Sequence, residues 1–326
     1  MIGKVVLEEH FALEQNWRES TPPGLPQELV EHLRGRLLDF HDQRLRDMDA
    51  AGIEFAILSM NAPTVQGMLD TRAAIALSIK ANDLLAEQVA RRPDRFAGFA
   101  ALPMQDPDAA AAELTRCIEE LGFKGANVNG FTQKDVPDSA IYYDIPEYRP
   151  FWATVQQLGM PFYMHPRMQI PPRADDYGGQ AWTMGATWGF ARETSIHALR
   201  LIGSALFDEF PGLQIVLGHL GERIPFDMWR IDARVKVMPF DYPCARPVSA
   251  YLRENFHITT SGNFSDPALT CALAELGVER TMFSIDYPFE DMAPGAAWFD
   301  TTAMGEADRL KIGRTNAIRL FKLDLD

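Results

Sequence analysis

Eight short runs of β-branched and aromatic residues recur along this 326-residue chain, and segments with helical periodicity separate them. The predicted strands lie at about 5–10, 55–61, 96–103, 123–129, 161–165, 213–219, 256–261 and 282–286. The predicted helices lie at roughly 39–51, 72–91, 107–121, 147–159, 192–209, 222–236, 266–277 and 306–321. This alternation has no Gly/Ser-rich linker, so it favours a single (β/α)8 TIM barrel over residues 1–326 rather than two doubly wound domains.

Three long loops rich in proline, glycine and aromatic residues are predicted after strands, at 11–38, 130–146 and 166–190. In a parallel barrel, segments that follow strands cover the carboxyl-terminal rim, where active sites are built. We therefore expect the functional residues at this rim.

Residues of metal-ligand type stand at the ends of four predicted strands. Strand alternation places Glu8 and His10 on one face, and His165, His219 and Asp286 close later strands. A single histidine at a strand end is usually structural, so the prediction depends on several such residues meeting. The two carboxylates and two imidazoles of Glu8, His10, His165 and Asp286 suit a divalent ion such as zinc or manganese.

Two glutamates near these ligands have alternative interpretations. Glu222 closes the stretch His219-Leu220-Gly221-Glu222 and is a candidate to orient the His219 imidazole, or else an acidic residue at a helix start. Alternation turns Glu9 to the face opposite Glu8 and His10, where we expect a surface or supporting carboxylate.

Candidate substrate contacts come from one arginine and several aromatic residues. Arg230 falls eight residues after Glu222 on the same predicted helical face, where it either reaches the rim or forms a surface salt bridge. Aromatic residues after the strands either cover a flat substrate or simply pack their loops. They are Trp182, Trp188, Phe190, Tyr287 and Phe289.

Composition excludes several classes of function. With 45 acidic and 31 basic residues, the net charge of −14 disfavours a nucleic-acid or anionic-membrane partner, and an anionic substrate requires a local cation. The three cysteines are widely spaced, and no leader or apolar run of ~18 residues is present, so we expect reduced thiols and a cytoplasmic location. The GxGxxG, GxSxG, Walker and HExxH motifs are absent, which argues against an organic cofactor of the nucleotide type.

Several motifs together resemble the decarboxylase branch of the amidohydrolase superfamily. These are Glu8-x-His10, His165-Pro166, Gly218-His219-Leu220-Gly221-Glu222, Ser284-Ile285-Asp286-Tyr287-Pro288-Phe289 and Thr315-Asn316-Ala317. Val128-Asn129-Gly130-Phe131 and Ile258-Thr259-Thr260-Ser261-Gly262-Asn263 make the chain most similar to the γ-resorcylate (2,6-dihydroxybenzoate) decarboxylases. Relatives that act on 2,3-dihydroxybenzoate or salicylate provide the alternative substrates.

The resemblance implies one divalent ion per chain, with manganese favoured over zinc and no organic cofactor. It implies that Glu8, His10, His165 and Asp286 hold this ion. A small aromatic carboxylic acid would bind through its carboxylate and ortho hydroxyl, in a homodimer or homotetramer. The implied substrate contacts are Arg230, Asn129, Phe190 and Phe289, and the implied catalytic residues are His219 and Asp286, with Glu222 beside them. Asp286 is our candidate for the donor that protonates the ring carbon before CO2 leaves.

Two departures from superfamily patterns affect this interpretation. Glu8 stands where hydrolases of the superfamily usually have histidine, and strand four ends in Asn129 rather than a modified lysine, so one ion and decarboxylation are favoured over lactone or amide hydrolysis. Residues 14–29 look shorter than the corresponding loop of γ-resorcylate decarboxylases, with Pro22-Pro23-Gly24 where a pocket phenylalanine is expected. The preference for ring substituents stays open.

Overall fold

The computed structural model describes residues 1–21, 24–170, 177–238 and 240–325. Pro22 and Pro23, in the predicted loop at 14–29, and residues 171–176, in the predicted loop at 166–190, lie outside the described residues. The strands are β1 Lys4–Phe11, β2 Ile53–Met60, β3 Phe96–Gly98, β4 Ala126–Asn129, β5 Thr132–Lys134, β6 Val136–Ile141, β7 Phe162–His165, β8 Ile215–Leu217, β9 Phe256–Thr259 and β10 Thr281–Met282.

Eight of these strands run parallel in two sheets, ordered β1-β2-β3 and β4-β7-β8-β9-β10. Isolated bridges join the sheet edges on both sides, Ala100 with Ala126 and Glu9 with Tyr287. Backbone hydrogen bonds continue there, including one of 2.7 Å from the amide of His10 to the carbonyl of Tyr287. The predicted barrel is therefore confirmed, with two of its eight strand contacts reduced to short bridges.

Helices cover the outside of the strands, and their buried side chains form one layer with the outward-facing strand residues. They span Gln27–Leu38, Gln43–Ala51, Thr71–Arg91, Pro107–Glu119, Arg149–Leu158, Gly189–Gly203, Leu206–Glu209, Ile224–Val237, Val248–Asn255, Asp266–Leu276, Met292–Thr301, Glu306–Leu310 and Asn316–Phe321. A second apolar cluster, which includes Val5, Leu7, Ile57 and Tyr163, fills the barrel interior. Among the described residues, no helix is both long and apolar enough to cross a membrane.

A β-bulge in β1 changes which residues face the barrel interior. Val6 pairs with Ala56 and Glu9 pairs with Leu58, so β1 has one residue more than β2 over this interval. Before the bulge, Val5 and Leu7 face inward. Beyond it, the inward positions are those of Glu8 and His10, and His10 pairs with Ser59 of β2. The bulge thus places two polar side chains above the apolar interior, at the carboxyl-terminal rim.

Several predicted element boundaries are wrong. The segment 11–38 contains the helix Gln27–Leu38, which buries only Leu33 and Leu37 and so has little apolar periodicity. The segment 130–146 contains the antiparallel hairpin of β5 and β6. The helices Val248–Asn255 and Met292–Thr301 were not predicted. These short elements depend on tertiary contacts more than on a strong local pattern.

Candidate metal centre and active site

Four of the predicted ligands converge at the rim of the barrel. Glu8 and His10 lie on β1, His165 ends β7, and Asp286 follows β10. One ligand atom from each lies within 4.8 Å of the others. The Nε2 of His10 is 3.2 Å from Oδ1 of Asp286, and the Nε2 of His165 is 3.3 Å from Oε1 of Glu8.

The atoms that face the centre of this group are buried and lack hydrogen-bond partners among the described residues. They are Oε1 of Glu8, Nε2 of His10 and Oδ1 of Asp286. A buried lone pair or negative charge that has no partner destabilises the folded state. A divalent cation compensates both, and carboxylate oxygen and imidazole nitrogen are ligands that zinc and manganese accept. The four residues can therefore hold a divalent metal ion.

Burial and mutual charge set the protonation of this group. Burial raises the pKa of Glu8, against the opposing attraction of His219. Burial also raises the pKa of Asp286, but the nearby imidazoles of His10 and His219 outweigh it and bring that pKa below its usual range. Burial lowers the pKa of His165 well below its usual value, so the imidazole is neutral and its lone pair is free.

Ser59 supports His10 from below. Its hydroxyl lies 3.0 Å from Nδ1 of His10. Because Nδ1 is engaged there, Nε2 is the nitrogen that faces Asp286 and the ligand group. The neighbouring imidazoles of His10 and His165 meet edge to face, with ring centroids 4.5 Å apart.

His219 and Glu222 lie on a left-handed turn directly after β8. All five residues from His219 to Arg223 have positive φ, with values of 51°, 58°, 82°, 52° and 68°. For residues other than glycine, this backbone costs about 1–2 kcal/mol each. The turn brings Nδ1 of His219 to 2.7 Å from Oε1 of Glu222 and Nε2 to 3.5 Å from Oδ2 of Asp286.

The interpretation of Glu222 as an ordinary residue at a helix start is therefore wrong. The helix begins at Ile224, and the Glu222 carboxylate is buried against the imidazole. Burial alone lowers the pKa of His219, but the carboxylates of Glu222 and Glu8 outweigh it and hold that pKa well above its usual value. His219 thus lies between the carboxylates of Glu222 and Asp286.

The four predicted substrate contacts differ in position. Asn129 pairs with His165 across β4 and β7, and its Oδ1 is buried without a partner among the described residues. The ring of Phe289 is 5.8 Å from that of His10. Phe190 is half-buried at the start of the helix Gly189–Gly203. Arg230 is exposed on the helix Ile224–Val237, and no hydrogen bond or ion pair to another described residue is seen for it.

Two residues differ from expectation, Tyr287 in its position and Glu9 in its burial. Tyr287 is buried outside the barrel wall, with the Arg44 guanidinium 4.8 Å from its ring, so it does not cover the metal centre. Glu9 is completely buried rather than on the surface, and accepts hydrogen bonds of 3.2 Å from Ser284 Oγ and the amide of Ile285. Burial raises the pKa of Glu9 to about 8.

Sequence reasoning missed the hydroxyl groups that contact Glu8. Tyr163, Thr259 and Ser261 all lie beside one oxygen of its carboxylate. Tyr163 stands two residues before His165 on the same strand, so alternation from a predicted ligand would have indicated it. Thr259 and Ser261 lie at and just beyond the end of β9, in the motif Ile258 to Asn263, which indicated only the family resemblance.

The family model described as amidohydrolase matches residues 25–323 of the chain. The chain belongs to the amidohydrolase family. A γ-resorcylate decarboxylase of Rhizobium sp. (strain MTP-10005) is 54% identical over 327 residues, which cover 99% of this amidohydrolase and 99% of that protein.

Two crystal structures show the same fold. A 2,6-dihydroxybenzoate decarboxylase complexed with 2,6-dihydroxybenzoate is 54% identical, with a TM-score of 0.96 over 99% of this chain and 100% of that one. A dihydroxybenzoic acid decarboxylase of Polaromonas sp. JS666, with bound manganese and the inhibitor 2-nitroresorcinol, is 52% identical. Its TM-score is 0.96 over 100% of this chain and 98% of that one.

Proposed function

We propose that this amidohydrolase is a metal-dependent carboxy-lyase that converts 2,6-dihydroxybenzoate to resorcinol and CO2, reversibly and without a redox step. The observation that carries the proposal is the buried group of Glu8, His10, His165 and Asp286 with its unpartnered lone pairs. The full-length similarity to γ-resorcylate decarboxylases supports the same activity.

These four residues are the proposed ligands of one divalent ion, and no organic cofactor takes part. Manganese is preferred over zinc because the Polaromonas decarboxylase contains it. The bound ion supplies the positive charge that holds the carboxylate and ortho hydroxyl of the substrate, which the strongly acidic chain otherwise repels.

Asp286 is the proposed proton donor. A carboxylate that serves as a metal ligand is deprotonated, so the proton that it donates must arrive with the substrate. The ortho hydroxyl supplies it, and Asp286 passes it to the ring carbon that bears the carboxylate. The electrons of the C–C bond then return to the ring as CO2 leaves, and the resulting phenolate oxygen takes a proton from solvent to give resorcinol. His219, held by Glu222, orients Asp286 through the contact between Nε2 and Oδ2.

Asn129, Phe190, Phe289 and Arg230 are the proposed substrate contacts. The position of Asn129 beside His165 and that of Phe289 beside His10 support their assignments. Arg230 lies on an exposed helix face, so its position does not support the assignment. The support is the positive charge of its side chain. Replacing Arg230 with alanine tests this assignment through the KM for the substrate.

A homodimer or homotetramer is the proposed assembly. Phe226, Trp229 and Phe240 are 82%, 78% and 85% exposed, and large aromatic side chains in this state are typical of surfaces that another protein covers. We further propose one structural domain, with no nucleic-acid or membrane partner. A cytoplasmic location is proposed because the three cysteines are free thiols.

The test is turnover by purified protein that has been stripped with a chelator and reloaded with Mn²⁺. We expect 2,6-dihydroxybenzoate to disappear as resorcinol and CO2 appear, and the stripped protein to be inactive. Parallel assays with 2,3-dihydroxybenzoate, salicylate and a lactone panel define the alternatives. Bound manganese without loss of CO2 from any hydroxybenzoate would contradict the proposal, and lactone opening would indicate the hydrolase.

A further inference from the structure

Three buried hydroxyl groups surround a single oxygen of the Glu8 carboxylate. Tyr163 on β7 and Ser261 after β9 both donate hydrogen bonds to Oε2 of Glu8. Thr259 contacts the same oxygen at 3.4 Å, and its hydroxyl lies 2.8 Å from that of Tyr163 and 2.9 Å from that of Ser261. All three side chains are completely buried. We call Tyr163, Thr259 and Ser261 the hydroxyl cradle.

The other carboxylate oxygen, Oε1, has the opposite environment. No described residue donates a hydrogen bond to it, and the nearest ligand nitrogen is Nε2 of His165 at 3.3 Å. A carboxylate oxygen has two lone pairs in its plane, and Tyr163 and Ser261 supply a donor for each one on Oε2. Oε1 is thus the oxygen left ready to bind a cation.

The cradle is also held firmly in place. The backbone amide of His219 donates to Oγ of Ser261 at 3.2 Å, which leaves the serine proton for Glu8. Gly218 also stands close to the carboxylate, and an added Cβ there would lie 2.7 Å from Oε2 and 2.9 Å from Oγ of Ser261. Oε2 therefore has little freedom to turn toward the other ligands.

We propose that Tyr163 and Ser261 are positioning residues that make Glu8 a ligand through Oε1 alone. This inference rests on the proposed metal centre. A carboxylate that binds an ion through both oxygens takes two coordination positions. Retaining Oε2 in the cradle keeps one position available, and the proposed substrate requires room for two oxygens, one from its carboxylate and one from its ortho hydroxyl.

The first experiment measures Mn²⁺ affinity, by electron paramagnetic resonance of the free ion, in Tyr163→Phe and Ser261→Ala. We expect each to weaken binding by about 10- to 100-fold, since groups that orient metal ligands typically have effects of this size. Tyr148→Phe is the matched control, because it removes another buried tyrosine hydroxyl, one that donates to the carbonyl of Met104 and does not contact Glu8. Its affinity is expected to equal that of the wild type.

The second experiment is a crystal structure of the Mn²⁺-loaded wild type, which needs no variant to fold. Manganese bound by Oε1 alone is the expected result, whereas manganese bound by both oxygens of Glu8 would overturn the inference. Folded Tyr163→Phe and Ser261→Ala proteins with wild-type affinity would overturn it as well. A wild type that binds no Mn²⁺ would reject the metal centre and this inference together. A manganese-loaded wild type that releases no CO2 would reject only the proposed function.

Discussion

The imidazole of His219 is joined to the carboxylate of Glu222 by a 2.7 Å contact between Nδ1 and Oε1, across a turn of left-handed backbone. The turn replaces the first residues of the predicted helix and points Nε2 at Asp286. Backbone of this kind persists where the surrounding structure holds it, and it is common at functional sites. Here it brings the side chains of His219 and Glu222, three residues apart in the chain, into hydrogen-bond contact.

Glu222→Gln is expected to lower kcat/KM by about 10- to 100-fold, because a neutral amide holds the His219 imidazole less strongly than the carboxylate does. Mn²⁺ affinity should stay near the wild-type value, since Glu222 is not one of the four proposed ligands. The control is Asp227→Asn, an exposed carboxylate in the first turn of the next helix. Unchanged kcat/KM in Glu222→Gln would remove this residue from the mechanism.

Asp286→Asn should reduce kcat by about 10²- to 10⁴-fold, the usual contribution of a positioned proton donor. It should also weaken Mn²⁺ binding, because the amide has no negative charge. Resorcinol formation at saturating Mn²⁺, followed by chromatography, separates the two effects. The exposed Asp291, five residues later, provides the comparison through Asp291→Asn. Wild-type turnover by metal-loaded Asp286→Asn would assign proton donation to another group.

Gly218→Ala is expected to weaken Mn²⁺ binding through a steric clash with Glu8. The new Cβ would lie 2.7 Å from Oε2, a contact that forces the carboxylate to shift. Backbone strain does not contribute, because the φ of Gly218 is −72°. In Gly305→Ala the Cβ meets nothing within 4 Å, so that variant should behave as wild type. Equal affinities of the two variants, measured by titration, would contradict this expectation.

His197 should make the protein less stable in acid. Burial and, to a smaller extent, the charge of Arg200 lower its pKa to about 3. The unfolded chain takes up the proton near pH 6.5, but the folded chain does so only near pH 3, so stability falls between these values as the pH falls. The expected loss from pH 6.5 to 5 is about 2 kcal/mol.

The free energy of unfolding of His197→Gln, measured with urea at about pH 6.5 and pH 5, should lack the loss that titration of His197 causes in the wild type. The exposed His32 serves as control through His32→Gln, which should keep the wild-type pH dependence. If His197→Gln retains the full dependence, the acid sensitivity comes from other groups.

Phe226→Asp combined with Trp229→Asp is expected to reduce the molecular mass in solution, measured by light scattering. A charge on each of these exposed positions opposes burial against another subunit. Ile2→Asp changes another highly exposed apolar residue, outside the helix Ile224–Val237, and should leave the mass unchanged. A wild-type mass for the double variant would place the interface elsewhere.

The sequence alone determined the barrel and the four candidate ligands. Periods of two and 3.6 residues are local properties, so alternating strands and helices can be recognised without a structure. Because parallel strands end at one rim, Glu8, His10, His165 and Asp286 were expected to meet there. Their roles in catalysis stay predictions, whereas their convergence is observed.

How these ligands are held depends on contacts between distant parts of the chain. The extra residue between Val6 and Glu9 turns Glu8 and His10 to the barrel interior, although regular alternation would have placed them with Val6 in the outer layer. The contacts of Tyr163 and Ser261 with Glu8 join residues more than 150 positions apart in the chain. Register and long-range hydrogen bonds depend on neighbouring strands, so no local pattern contains them.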